Sequence, residues 1–128
     1  MCSPGSTWFF RNHACFRAIF FSNDNGFQTL VENSLVETTC GRNGSTLALQ
    51  SEFTANDYDW VNSFMCLTSF TDPKNRGIIY FNSTGHKGIG NCPVFDCNKK
   101  QLGTHNCQQG TDSNPNTQLA LFCKYKLT

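Results

Sequence analysis

Long hydrophobic runs are missing from this chain, and so is any stripe of charge of one sign. No stretch of its 128 residues is long and apolar enough to read as a membrane span. Ten basic and nine acidic residues leave a net charge of +1, with the two signs interspersed. A nucleic-acid binder would gather Lys and Arg on one face, so that class is excluded. Lys99, Lys100, Lys124 and Lys126 form only a mild basic cluster, which reads as a solvated face. Internal repeats, low-complexity segments and linkers are absent too, which leaves one domain over residues 1–128. Met1-Cys2-Ser3-Pro4 has neither the basic nor the apolar region of a signal peptide. Between Ser83 and Cys107 the only acid is Asp96.

What is abundant is cysteine and phenylalanine. Twelve Phe and two Trp give a chain of this size bulky material for a core. Eight Cys, an even number in a small chain, point to as many as four disulfides and an oxidising compartment. The competing use is metal binding. Cys92 and Cys97 have four residues between them, and a zinc knuckle of that kind needs a second close pair. A secreted protein or ectodomain is therefore expected, its signal removed and Met1 added for expression. Two N-glycosylation acceptors agree with that compartment, Asn43-Gly44-Ser45 and Asn82-Ser83-Thr84.

Along the chain, Trp8–Phe10 and Cys15–Phe21 read as strands of a hairpin turning at Arg11-Asn12-His13, with a Cys2–Cys15 disulfide able to staple its open end. Phe27, Leu30, Val31 and Leu35 recur at helical spacing, and Gly41 suits a left-handed C-cap, so a first helix is expected from Gln28 to Thr39. Leu47 and Leu49 alternate with smaller or polar residues, which predicts a strand over Thr46–Gln50. Thr54 with Asp57 three residues later is a capping box in its Asp form, and Phe53 and Tyr58 form a hydrophobic staple. A second helix follows to about Phe64, burying Trp60, Val61, Phe64 and Met65. Cys66–Phe70, Ile78–Phe81 and Pro93–Phe95 read as strands, and Asn98–Gln118 as a polar excursion. In the closing strand Gln118–Lys126, Leu119, Leu121, Cys123 and Tyr125 face one way, Ala120 and Phe122 the other. The class is α+β.

Read in order, these segments resemble the C-type lectin-like domain in its long form with an N-terminal hairpin. The likeness is carried by Cys2…Trp8-Phe9…Cys15-Phe16, by the helix ending in Cys40, and by Gly44–Glu52. Asn56–Val61, Gly90–Val94 and Leu121–Tyr125 continue it to the end of the chain. The resemblance implies two helices flanking small antiparallel sheets. It also implies the bridges Cys2–Cys15, Cys40–Cys123 and Cys92–Cys107, which leaves Cys66 and Cys97 to pair as a fourth. The family's Trp-Ile-Gly-Leu motif has only a poor copy here, Met65-Cys66-Leu67-Thr68. Its calcium and sugar triplets fall by spacing on Asn82-Ser83-Thr84 and Leu102-Gly103-Thr104, neither of which carries a carboxylate. Calcium takes six to eight oxygens with carboxylates among them, so no metal and no cofactor are expected.

Catalytic constellations are weak. His13 stands near Cys15 and His105 near Cys107, but a cysteine held in a disulfide is no nucleophile. Asp57 and Asp59 are two apart on a helix and do not face each other. The loop Gly85–Gly90 lacks the Gly-Lys-Ser/Thr of a phosphate loop. What remains is a non-enzymatic extracellular module that recognises a protein or glycan through loops between Thr68 and Gln118, without membrane insertion. The contact candidates are Arg76, Tyr80, His86, Lys87, Lys99, Lys100 and His105. Two alternatives stand beside this reading: a lectin with a nonstandard sugar site, and a small secreted hydrolase or toxin on another disulfide-rich fold.

Overall fold

Asn12 and His13 both adopt positive φ, 51° and 64°, and make the two-residue turn between β1 (Phe9–Arg11) and β2 (Ala14–Phe21). Two left-handed residues give a turn whose twist suits a hairpin, and Asn and His tolerate that region better than most side chains. The computed structural model of the chain describes residue 2 and residues 7–21, 26–32, 34–69, 77–82, 91–107 and 118–127.

The helix expected from Gln28 to Thr39 is two helices, α1 (Gly26–Glu32) and α2 (Val36–Cys40). Ser34 breaks it at φ 56°, a left-handed residue that a continuous helix cannot hold. Its N–H turns back to Val31 O, and that of Leu35 to Leu30 O, both at 3.1 Å. Leu35 is thereby swung out of the buried stripe and is 42% exposed. Helix α2 ends as expected: Gly41 is left-handed at φ 79° and its N–H bonds Glu37 O at 3.0 Å.

Strand β3 is only Thr46–Leu47, and a 3₁₀ turn at Gln50–Glu52 replaces the rest of the expected strand. Leu49 consequently lies 43% exposed, while Ala48 is fully buried, its N–H on Phe122 O. The second helix is longer than its pattern suggests, running over 55–69. It opens with a 3₁₀ turn at Ala55–Asp57, continues as α at Tyr58–Val61 and widens to a π turn at Asn62–Cys66. It closes with Leu67–Ser69, where a strand was expected. The Thr68 hydroxyl donates to Phe64 O at 2.7 Å, a bond that belongs to a helix and not to a strand. Val61 and Met65 are buried, but Phe64 is turned to the surface.

The remaining strands are β4 (Ile78–Tyr80), β5 (Asn91–Asp96), β6 (Gln101–Asn106) and β7 (Leu119–Lys126). Strand β6 falls within the stretch read as a polar excursion. It is an edge strand, paired only with β5 among the described residues, so its side chains need not be apolar. The described strands form one mixed sheet in the order β1-β2-β7-β4-β5-β6, with β3 also paired to β7. The β4–β7 pairing is parallel and the others are antiparallel.

Strand β7 divides the core as its alternation predicts. Leu119, Leu121, Cys123 and Tyr125 join Phe27, Leu30 and Tyr80 on the side of α1 and α2. Ala120 and Phe122 join Phe16, Phe53, Phe81, Val61 and Met65 on the side of the longer helix. The Phe122 ring packs on those of Phe81, Phe53 and Phe16 with centroids 4.8, 4.9 and 5.8 Å away.

All eight cysteines are paired, as Cys2–Cys15, Cys40–Cys123, Cys66–Cys97 and Cys92–Cys107. Cys40–Cys123 joins α2 to β7 across 83 positions, a loop whose closure stabilises the fold by roughly 4–5 kcal/mol in the chain-entropy description. Replacing both of these cysteines with alanine should lower the unfolding free energy by about that amount in a denaturant titration. Removing Cys2 and Cys15, only 13 positions apart, should cost less, about 3 kcal/mol; equal losses would refute the ordering.

Candidate functional site

The acids nearest the core serve the backbone. Asp57 is buried; one carboxylate oxygen accepts the Thr54 N–H at 2.8 Å, and the other binds Arg11 at 2.6 and 2.8 Å. Glu52 accepts the Leu49 N–H at 2.8 Å with one oxygen and pairs with Lys124 through the other. Asp96 accepts the N–H groups of Asn98 and Lys99 at 2.9 and 3.1 Å, which fixes the β5–β6 turn. Each carboxylate therefore holds a cap, a turn or an ion pair. Cys15 and Cys107, the cysteines beside His13 and His105, are both in disulfides.

The contact candidates scatter. Arg76, His86 and Lys87 lie outside the described residues. Lys99 and Lys100 are exposed at the tip of the β5–β6 hairpin, Lys100 at φ 56°. Tyr80 is no surface contact: it is fully buried, with its ring stacked on Phe27 at 4.4 Å. Its hydroxyl donates to Asn106 O at 2.7 Å and also meets His105 Nδ1 at 2.7 Å. A phenol has one hydrogen, so its oxygen accepts the second bond and His105 carries its proton on Nδ1. Tyr80 and His105 thus join β4 to β6 from within. Arg17 is another inward polar residue. Burial pushes its guanidinium below the ordinary arginine value, and it lies over the Trp8 ring at 5.6 Å.

The basic cluster also separates. Ile78 pairs with both Asp96 and Leu119, so the hairpin carrying Lys99 and Lys100 lies at the start of β7. Lys124 and Lys126 lie at its end, roughly 20 Å away at the rise of an extended strand.

At that far end the surface opens into a groove of about 690 Å³. Its walls are the turn after α2, strand β3, the 3₁₀ turn and the last residues of β7. Among the described residues Arg42, Lys124 and Lys126 bring three cations to it and Glu52 one carboxylate. The Arg42 guanidinium carbon lies over the Tyr125 ring, 3.7 Å from its centroid. Tyr125 in turn packs edge-on against Trp8 at 4.8 Å, so the cation rests on a fixed platform. Leu47 and the exposed Leu49 add apolar surface.

The two glycosylation candidates meet here. Asn43 is exposed in a turn closed by Ser45, whose N–H and hydroxyl reach Arg42 O at 3.2 and 2.6 Å. Gly44, at φ 80°, supplies the left-handed residue that this turn requires. Asn82 is half-buried and lines both this groove and an adjoining one of about 490 Å³. Sequence reasoning missed Arg42, Leu49 and Glu52 as neighbours of Lys124; Glu52 and Lys124 are 72 positions apart and only the β3–β7 pairing brings them together.

The two-sided sheet, the flanking helices and the four bridges define a C-type lectin-like fold in a divergent form. Botrocetin superposes with a TM-score of 0.56 at 14% identity, covering 99% of this chain and 100% of botrocetin. Botrocetin in complex with the A1 domain of a von Willebrand factor mutant gives 0.52 at 13% identity, again over 99% and 100% of the two chains. The snake venom toxin convulxin gives 0.49 at 13% identity over 96% and 97%. No family model matches the chain, and no curated protein matches it in sequence. Among the described residues no helix is long and apolar enough to cross a membrane, and no three His, Cys, Asp or Glu side chains converge on a metal-sized site.

Replacing Tyr80 with Phe tests its structural role. The change should cost about 1–3 kcal/mol of stability, since the Asn106 carbonyl and His105 Nδ1–H lose that partner. The His105 ring ¹⁵N shifts should report loss of the Nδ1–H tautomer; a neutral substitution with unchanged shifts would refute the bond.

Proposed function

We propose that this chain is an extracellular recognition module that binds a protein partner and performs no chemistry of its own. The observation that carries the reading is the groove at the end of β7. A fixed Arg42–Tyr125 platform, further cations and an exposed leucine lie together on a disulfide-braced frame. Arginine and aromatic anchors on a rigid support are what protein interfaces use for most of their binding energy. Two further facts support it. The described carboxylates nearest the core are held in caps, turns and ion pairs, and every cysteine is oxidised, as suits a secreted chain. The structural neighbour botrocetin occurs in complex with a protein domain, the von Willebrand factor A1 domain.

Under the same reading Asn43 carries an N-glycan at the groove's rim. Asn43→Gln protein from secreting cells should lose the mass of one glycan; an unchanged mass would refute that assignment.

The reading is tested by screening the disulfide-bonded protein against extracellular protein domains and, in parallel, against a glycan array with and without chelator. The expected result is a protein hit that survives chelation. Sugar binding that disappears with chelator would overturn it.

A further inference from the structure

The acceptor sequence Asn43-Gly44-Ser45 is folded into a turn that hides one of its own parts. Asn43 is exposed and lines the groove at the end of β7. Ser45 is only 2% exposed. Its N–H and its hydroxyl both donate to Arg42 O, at 3.2 and 2.6 Å. A carbonyl oxygen has two lone pairs and can accept both. The turn is also tied to β7 at each end. Cys40 is bonded to Cys123, Leu47 pairs with Cys123 and Thr46 with Lys124. Opening the turn therefore means releasing the bridge, the strand pairing or both.

Glycan transfer to Asn43 needs the part that is hidden. The side-chain amide nitrogen attacks C1 of the first sugar of an oligosaccharide carried on a lipid diphosphate. The N–C1 bond forms and the C1–O bond to the diphosphate breaks. One amide proton passes to a base of the transferase, and the lipid diphosphate leaves. The acceptor rule demands a Ser or Thr two residues on, since the transferase binds that hydroxyl while the amide reacts. In the folded chain the Ser45 hydroxyl is committed to Arg42 O and turned away from solvent.

From this we infer that Asn43 is an acceptor only before the Cys40–Cys123 bridge and the β3–β7 pairing form, and that folding fixes it as glycosylated or bare. A bare copy stays bare for as long as it stays folded. Asn43 belongs to the groove's lining, so the two forms present different grooves, one of them with a glycan at its rim. The groove is thereby set open or shielded at synthesis. The inference rests on the extracellular reading above, since a chain meets this transferase only on the secretory route. It adds the order of events and a means of regulating the same site.

The test is glycan transfer in vitro, with purified oligosaccharyltransferase and a lipid-linked oligosaccharide. The substrate is the unglycosylated chain in two forms, one disulfide-bonded and one reduced and alkylated. Mass spectrometry of the peptide containing Asn43 reads its occupancy independently of Asn82. The reduced form should be glycosylated at Asn43, and the disulfide-bonded form at least about tenfold more slowly, because it reacts only through local opening. Gly44→Ala locates the cause. Gly44 stands at φ 80°, which alanine resists, while a Cβ there would meet nothing within 4 Å. The change therefore loosens the turn without a clash and keeps an acceptor sequence. Disulfide-bonded Gly44→Ala protein, its bridges verified by mass, should accept the glycan severalfold faster than the disulfide-bonded parent. No gain would overturn the lock assigned to this turn, and the comparison of the two parent forms decides the matter if the variant does not fold. Equal rates for those two forms would overturn the inference and leave the Asn43 glycan assignment intact. Transfer to neither form would overturn both, and the protein-binding reading would still be judged by its own screen.

Discussion

Strand β7 has almost no solvent face, and the fold is arranged to keep it that way. From Leu119 to Cys123 its side chains are fully buried on both sides of the sheet. Its edges pair with β2 on one side and with β4 and β3 on the other. A strand so enclosed must have a helical layer on each face, and the chain supplies one before and one after β3. The disulfide Cys40–Cys123 fixes the first layer to the strand. The aromatic stack around Phe122 fixes the second.

The groove is a consequence of where that enclosure stops. After Cys123 the strand runs past the longer helix, and its even-numbered residues change from Ala120 and Phe122 to Lys124 and Lys126. The odd-numbered Tyr125 remains covered, but by Trp8 beneath and Arg42 above. The residues that cannot be buried at this end are therefore the long cationic ones. They line one groove with an aromatic ring and two leucines. Cationic and apolar surface meet here because a core strand outlasts its core.

Local features of the fold were legible in the sequence because their causes are local. The Asn12-His13 turn, the Gly41 cap, the Thr54–Asp57 contact and the alternation in β7 each follow from residues within a turn or a strand of one another. Features that depend on partners far along the chain were misread. Leu49 reads as continuing the strand of Leu47; the 3₁₀ turn that ends the strand early is held by Glu52, itself paired with Lys124. Tyr80 looked like a contact because Tyr often is one, and its two hydroxyl partners lie 25 and 26 positions away on a strand that reads as polar loop. Strand β6 was hidden for the same reason. Its pairing is supported by Cys92–Cys107 and by Gln50, whose amide donates to Val94 O and Gly103 O at 3.1 and 2.9 Å. The four lysines formed a cluster only in composition, and the length of β7 parts them.

The same contrast explains how a chain at 14% identity can share the fold of botrocetin over nearly its full length. The frame needs few fixed identities: paired thiols at the right places, a left-handed residue after α2, and apolar side chains of suitable bulk on both faces of one strand. Phe122 and its neighbours satisfy the last demand with rings where other side chains of similar volume would serve. The surface carries no such demand, so what a neighbour binds does not travel with the fold. The Arg42–Tyr125 platform, the engaged Glu52 and the exposed Leu49 are properties of this chain's own residues. Its choice of partner has to be argued from them, and they join positive charge to apolar surface beside the strand that Cys40–Cys123 braces.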